Sequence, residues 1–153
     1  MKLELIAFHS VFADIITTYR ASWKGKGDLK KANILSFGVN QMGDTNGEKP
    51  GIHAEEDAIS KLIPLKRKKR LESINILVIR VSPKNKLQPS KPCSNCLKIM
   101  NILPEKKGYK IENVYYSDEE GNIIKKTLKS LENEEKHYSK YYRRSIIKNS
   151  QNS

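Results

Sequence analysis

Two short motifs constrain this chain more than any other part of it. His53-Ala54-Glu55 opens the run HAEEDAISKL, and Pro92-Cys93-Ser94-Asn95-Cys96 opens the run PCSNCLKIM. Imidazole nitrogen and thiolate sulfur are favoured ligands of tetrahedral zinc. His53, Cys93 and Cys96 supply three protein ligands and leave a fourth position for water, which is the catalytic rather than the structural pattern. Glu55 then stands beside the metal as a proton carrier. Two plainer readings stand next to this one. Cys93 and Cys96 could form a redox pair of the thioredoxin kind, but that leaves His53 and Glu55 idle. A purely structural zinc wants a fourth Cys or His, and the chain holds only two cysteines, with His9 and His137 towards its ends.

The elements around these motifs follow from pattern and punctuation. Leu5, Phe8, Phe12, Ile15 and Ile16 lie close to helical spacing and predict an amphipathic helix over residues 3–17. Residues 19–24 read as a weak strand, Gly25-Lys26-Gly27-Asp28 as a turn, and residues 33–41 as a better strand, the two strands pairing as a hairpin. A polar Gly/Pro loop over 42–52 leads to a helix running from His53 to about Ile63, where Pro64 stops it. Ala58, Ile59, Leu62 and Ile63 are its packed face, and Glu56 and Asp57 a solvated first-turn pair favoured by the helix dipole.

Residues 73–82 (SINILVIRVS) are nearly continuous apolar and β-branched, the pattern of a central strand buried on both faces. A loop over 83–91 carries Lys84, Lys86 and Lys91. A second helix runs from Pro92/Cys93 to about Leu103 and turns both thiols the same way, because they are spaced i, i+3. Two last strands, 111–117 and 122–128, flank the turn Asp118-Glu119-Glu120-Gly121-Asn122. So short a connection joins antiparallel neighbours only.

At 153 residues, one domain of ordinary size is expected, with residues 1–130 as the folded unit and 131–153 as a basic tail, helical around 130–142 and disordered at its end. Both cysteines sit in one motif, so no disulfide framework remains and a reducing, intracellular setting (cytoplasm or nucleus) is expected. The start MKLELIAFHSVFAD, interrupted by Glu4, His9 and Asp14, does not read as a signal peptide. No run approaches the roughly 18 apolar residues of a membrane span.

Lys+Arg 29 against Asp+Glu 17 gives a net charge of +12, which favours polyanions such as nucleic acid. AT-rich coding, rich in Lys, Asn and Ile, would give the same balance without selection for binding. Lys66, Arg67, Lys68, Lys69 and Arg70 form the densest basic run, either a solvated loop or a phosphate contact. In the tail, Tyr138, Tyr141, Tyr142, Arg143 and Arg144 could stack on bases and pair with phosphates, or dock a terminal helix on the core.

HAE at one helix start, followed after a strand by PCxxC at another, resembles the cytidine/deoxycytidylate deaminase superfamily over residues 21–128. The resemblance implies a three-layer α/β/α sandwich around a five-stranded mixed sheet, one catalytic Zn2+, and Glu55 moving protons to the ring nitrogen and the leaving ammonia. It implies substrate contacts from Asn40 and from the Ala54 N–H, the latter to a pyrimidine carbonyl. Free-nucleoside deaminases carry Asn-x-Glu where this chain reads Asn40-Gln41-Met42, so the carboxylate that holds ribose is missing. The terminal hairpin points to the division of cytidine and blasticidin deaminases, whose members are often tetramers. The implied activity is conversion of cytosine to uracil in a cytidine- or deoxycytidine-type nucleoside or nucleotide. Two alternatives stay open: cytosine or adenine within single-stranded DNA or RNA, and a non-catalytic zinc-stabilised module that binds nucleic acid.

Overall fold

The computed structural model describes residues 3–8, 33–43, 51–66 and 70–138. Six strands and three helices lie within them, in the order β1 (Leu3–Phe8), β2 (Asn33–Val39), α1 (Ala54–Ser60), β3 (Glu72–Val81), β4 (Leu87–Gln88), α2 (Ser94–Lys106), β5 (Tyr109–Ser117), β6 (Ile123–Thr127) and α3 (Leu128–Glu132). The fold is α/β around a mixed sheet. The order across it is β2-β1-β3-β5-β6. β2, β1, β3 and β5 run parallel, β6 returns antiparallel to β5, and β4 folds back on the end of β3. The terminal hairpin is therefore present, with Ser117 opposite Ile123 and Asn113 opposite Thr127. No helix among the described residues is long and apolar enough to cross a membrane.

β3 is central because its sequence lets it bury both faces. Ile74, Ile76 and Val78 join Ile111, Val114 and Tyr116 beneath Ile59, Leu62, Leu97 and Met100. On the other face Leu77, Ile79 and Val81 pack with Ile34, Phe37, Leu87, Tyr115 and Ile123. Each such aliphatic side chain contributes about 1.5–3 kcal/mol when fully buried. α1 packs on β2 and β1, α2 on β5, and the two helices touch. Since four strands are parallel, the loops leaving β2 and β3 emerge at the same carboxyl edge. That edge is where open α/β sheets carry their ligands.

Several expectations from sequence need correction. Residues 3–8 form a strand, not the start of a helix, and this strand lies between β2 and β3. A short apolar run such as LELIAF fits a buried strand as well as a helix, and periodicity alone does not separate them. The side of β2 facing β3 is thus occupied by β1 rather than by a hairpin partner. Residues 9–32, including the expected strand at 19–24 and its glycine turn, lie outside the described residues.

Ile63 is 79% exposed instead of packed. α1 ends at Ser60 rather than at about Ile63, so Ile63 lies beyond the helical face, and Pro64 biases it towards extended backbone. α2 runs past Leu103 to Lys106, with Pro104 inside its last turn. Its stop signal is Gly108, at φ 89°, the left-handed residue that ends many helices. The 83–91 loop contains β4, reached through a tight turn with Asn85 at φ 57°. α3 is confined to Leu128–Glu132, shorter than the helix expected over 130–142, and Leu131 is part of the core. Residues 139–153 lie outside the described residues.

Candidate metal centre

Both motifs stand at helix starts, and in the same way. His53 is the N-cap of α1 at φ −75°, ψ 152°, and Cys93 is the N-cap of α2 at φ −75°, ψ 163°. The carbonyl of each accepts the first helical hydrogen bond, from Asp57 N–H and Leu97 N–H, both at 3.0 Å. Neither side chain caps its helix. Ser, Thr, Asp or Asn would do so for about 1 kcal/mol. Both helices forgo that contribution.

The freed side chains meet. His53 Nδ1 lies 3.2 Å from Cys96 Sγ and 3.6 Å from Cys93 Sγ. All three ligand atoms fall within 4.8 Å of one another, close enough to bind one metal ion. Zinc–sulfur bonds of 2.3 Å and zinc–nitrogen bonds near 2.0 Å in a tetrahedron require N···S separations of about 3.5 Å. The donor set therefore fits zinc in both spacing and softness. Hydrogen bonding from Cys96 and His53 outweighs burial and pulls Cys93 down to about 4. Donation to Cys93, burial and the charge of Glu55 push Cys96 up. The hydrogen bond to Cys93 outweighs burial and raises His53. One thiol thus holds its negative charge at the expense of the other.

Glu55 is 1% exposed and faces Cys96. As the second residue of α1 it projects from the same helix start that presents His53. The Ala54 N–H donates to Asn40 Oδ1 at 2.8 Å, so these two expected substrate contacts are bonded to one another. Met42 is 98% exposed. Lys66 and Arg70 are exposed on the loop after α1, and Arg67, Lys68 and Lys69 lie outside the described residues.

Asp57 departs from expectation. It is 4% exposed, not solvated. Its carboxylate accepts from the Val39 N–H at 2.9 Å, from Gln41 Nε2 at 3.0 Å and from Lys61 Nζ at 2.6 Å. Burial raises its pKa, but these donors prevail and hold the carboxyl below its ordinary value. An acid at the first turn with a lysine at i+4 looks identical in sequence to a surface ion pair, so pattern alone gave no sign of this.

Two serines position the other helix start. Ser90 Oγ donates to the Val78 carbonyl at 2.8 Å and accepts from the Ser117 N–H at 2.8 Å, while Ser90 N–H donates to the Ser117 carbonyl at 3.0 Å. This fixes the chain just before Pro92 and Cys93. From the opposite side the His137 carbonyl accepts the Ser94 N–H at 2.7 Å, and Glu134 pairs with Lys91 at 2.7 Å and Lys126 at 2.5 Å. Comparisons of this chain with protein-family models, with curated proteins and with solved structures return no match.

Proposed function

We propose that this protein is a zinc-dependent hydrolytic deaminase that converts a cytosine base to uracil in a cytidine- or deoxycytidine-type nucleoside or nucleotide. The observation that carries the reading is a buried carboxylate, Glu55, beside a His53/Cys93/Cys96 cluster formed by two convergent helix starts. When bound there, zinc supplies Lewis acidity and a water that is nucleophilic at neutral pH. Glu55 takes the proton of the attacking water, delivers it to the ring nitrogen, and then passes a proton to the amino group that leaves as ammonia. Water adds to the amino-bearing carbon and the C–N bond breaks, so atoms balance without an oxidant. Asn40 and the Ala54 N–H contact the base or sugar, and a substrate carbonyl takes the Ala54 N–H from Asn40. Since both faces of β3 are buried, the architecture that goes with this reading is the three-layer α/β/α sandwich of the cytidine deaminase superfamily.

The fully exposed Met42 favours a second reading, in which the base belongs to single-stranded DNA or RNA and the exposed lysines meet its phosphates. One assay separates them: ammonia release from cytidine, deoxycytidine, their monophosphates, and single-stranded DNA and RNA. Turnover of monomers supports the first reading, and turnover of polymers alone supports the second. Glu55→Ala should keep zinc and abolish release. Cys93→Ala should lose the zinc measured by elemental analysis. Retained zinc in Cys93→Ala refutes the metal site, and residual release by Glu55→Ala refutes the proton carrier. Silence on the whole panel, with zinc bound, would favour a non-catalytic nucleic-acid-binding module.

A further inference from the structure

The loop that carries Asn40 is gripped from both sides by one carboxylate on α1. Asp57 Oδ2 accepts the Val39 N–H and Oδ1 accepts Gln41 Nε2. Val39 and Gln41 are the immediate neighbours of Asn40. Gln41 is also fixed through its backbone, whose N–H donates to the Ile52 carbonyl at 2.9 Å. Asn40 Oδ1 is in turn held by the Ala54 N–H, one helical turn before Asp57. A carboxylate only accepts, so three donors converge on Asp57 without conflict. The third, Lys61, neutralises a charge that would otherwise be costly to bury. The helix dipole alone would not do this, because it favours an acid in the first turn wherever the side chain points. Here the side chain turns in to β2.

The geometry points to Asp57 as the positioning residue for Asn40, locking the strand exit on either side of it to the same helix that presents His53 and Glu55. A displacement of the metal centre then carries Asn40 along, and the two halves of the site stay in register. The role assigned to Asn40 rests on the deaminase reading, whereas its placement does not.

Amide hydrogen exchange on the zinc-loaded full chain tests the placement. Ala54 opens α1, so its N–H has no intrahelical acceptor, and its protection reports Asn40. Asn40→Ala sets the unprotected rate. Asp57→Ala should accelerate Ala54 exchange about tenfold, the worth of a hydrogen bond to a charged group, while Ile76 in β3 keeps its rate. Gln41→Ala, at an exposed residue that does not threaten folding, should accelerate it about threefold, and Asp57→Asn should fall between the two. Unchanged Ala54 exchange in Gln41→Ala and in whichever Asp57 variant folds overturns the proposal. With cytidine as substrate, Asp57→Asn should raise KM about tenfold and leave kcat within about threefold, because Asn40 binds while Glu55 carries protons. A fall confined to kcat overturns the positioning role. If the parent protein turns over nothing, the deaminase reading falls, and the exchange rates still decide the role of Asp57.

Discussion

The two helix starts that form the candidate metal centre are alike in backbone and unlike in what holds them. His53 and Cys93 adopt nearly the same dihedral angles and open their helices the same way. The α1 start is fastened inward. Gly38 brings β2 against the helix, Ser36 Oγ donates to the Ala58 carbonyl at 2.5 Å, and the buried Asp57 takes the N–H of Val39. The α2 start is fastened partly at the surface. Ser90 and Ser117 anchor it below, but its outer side is tied down by Glu134 between Lys91 and Lys126, all partly exposed. One half of the site thus depends on close packing and a buried charge, the other on ion pairs that solvent can screen. The half carrying Glu55 has the dry support.

The sharpest way to break this asymmetry is at Gly38. A Cβ there would lie 2.0 Å from the Ala54 carbonyl oxygen and 2.3 Å from the Ala58 nitrogen. Both are backbone atoms of a packed helix and neither can swing aside. Gly38→Ala should cost about 3 kcal/mol, the upper end of overpacking, or about 10 °C in Tm for a chain of this size. It should also weaken metal retention, because the displaced helix carries His53. A melting point within about 2 °C of the parent would show that the contact between β2 and α1 is looser than the structure indicates.

The same region shows how far sequence reasoning reaches. β3 was legible because SINILVIRVS carries its burial in its own composition, and the terminal hairpin because a turn as short as Asp118–Asn122 admits one geometry. His53, Cys93 and Cys96 were legible because ligand chemistry restricts residue type. The positions that hold them were not. Asp57 reads as a surface acid, and Ser90 and Ser117 are two serines among many, since each acts through a partner distant in sequence. Residues 3–8 pass for the start of a helix because LELIAF is too short for its period to distinguish strand from helix. Ile63 fits the helical period, but α1 ends at Ser60 and the period does not reach it.

A gentler way to sharpen the comparison is acid. The folded-state pKa of Asp57 lies below its ordinary value of 3.8. In that range the unfolded chain binds the additional proton, so stability rises with pH there. The contribution is complete above about pH 4 and is lost as pH falls from there through the lowered value. Comparing the pH dependence of melting in the parent and in Asp57→Asn isolates it, since metal loss and the remaining carboxylates are common to both. The parent should lose its advantage over the variant as the pH drops below about 4. Parallel curves would mean that the buried carboxylate is not the fastening at the α1 start.

The smallest effect belongs to the α2 side. Glu134 accepts from two lysines, and hydrogen bonding from Lys126 and Lys91 holds its carboxyl below the usual range. The trio is partly exposed, with side-chain accessibilities of 26% for Glu134 and 35% for each lysine, so its worth is that of a surface pair, under about 1 kcal/mol. Glu134→Gln should therefore lower Tm by no more than about 2–4 °C at low salt. Raising salt to about 1 M shortens the screening length to about 3 Å, and the difference between parent and variant should then vanish. The Asp57 difference should survive the same salt, because the carboxylate is 4% exposed and two of its three donors, the Val39 N–H and Gln41 Nε2, are uncharged. Equal salt sensitivity at the two positions would erase the contrast between a dry and a wet fastening. Persistence of the Glu134 effect at high salt would mean that the segment ending in His137 is bound to the helix that opens at Cys93 more firmly than its ion pairs allow.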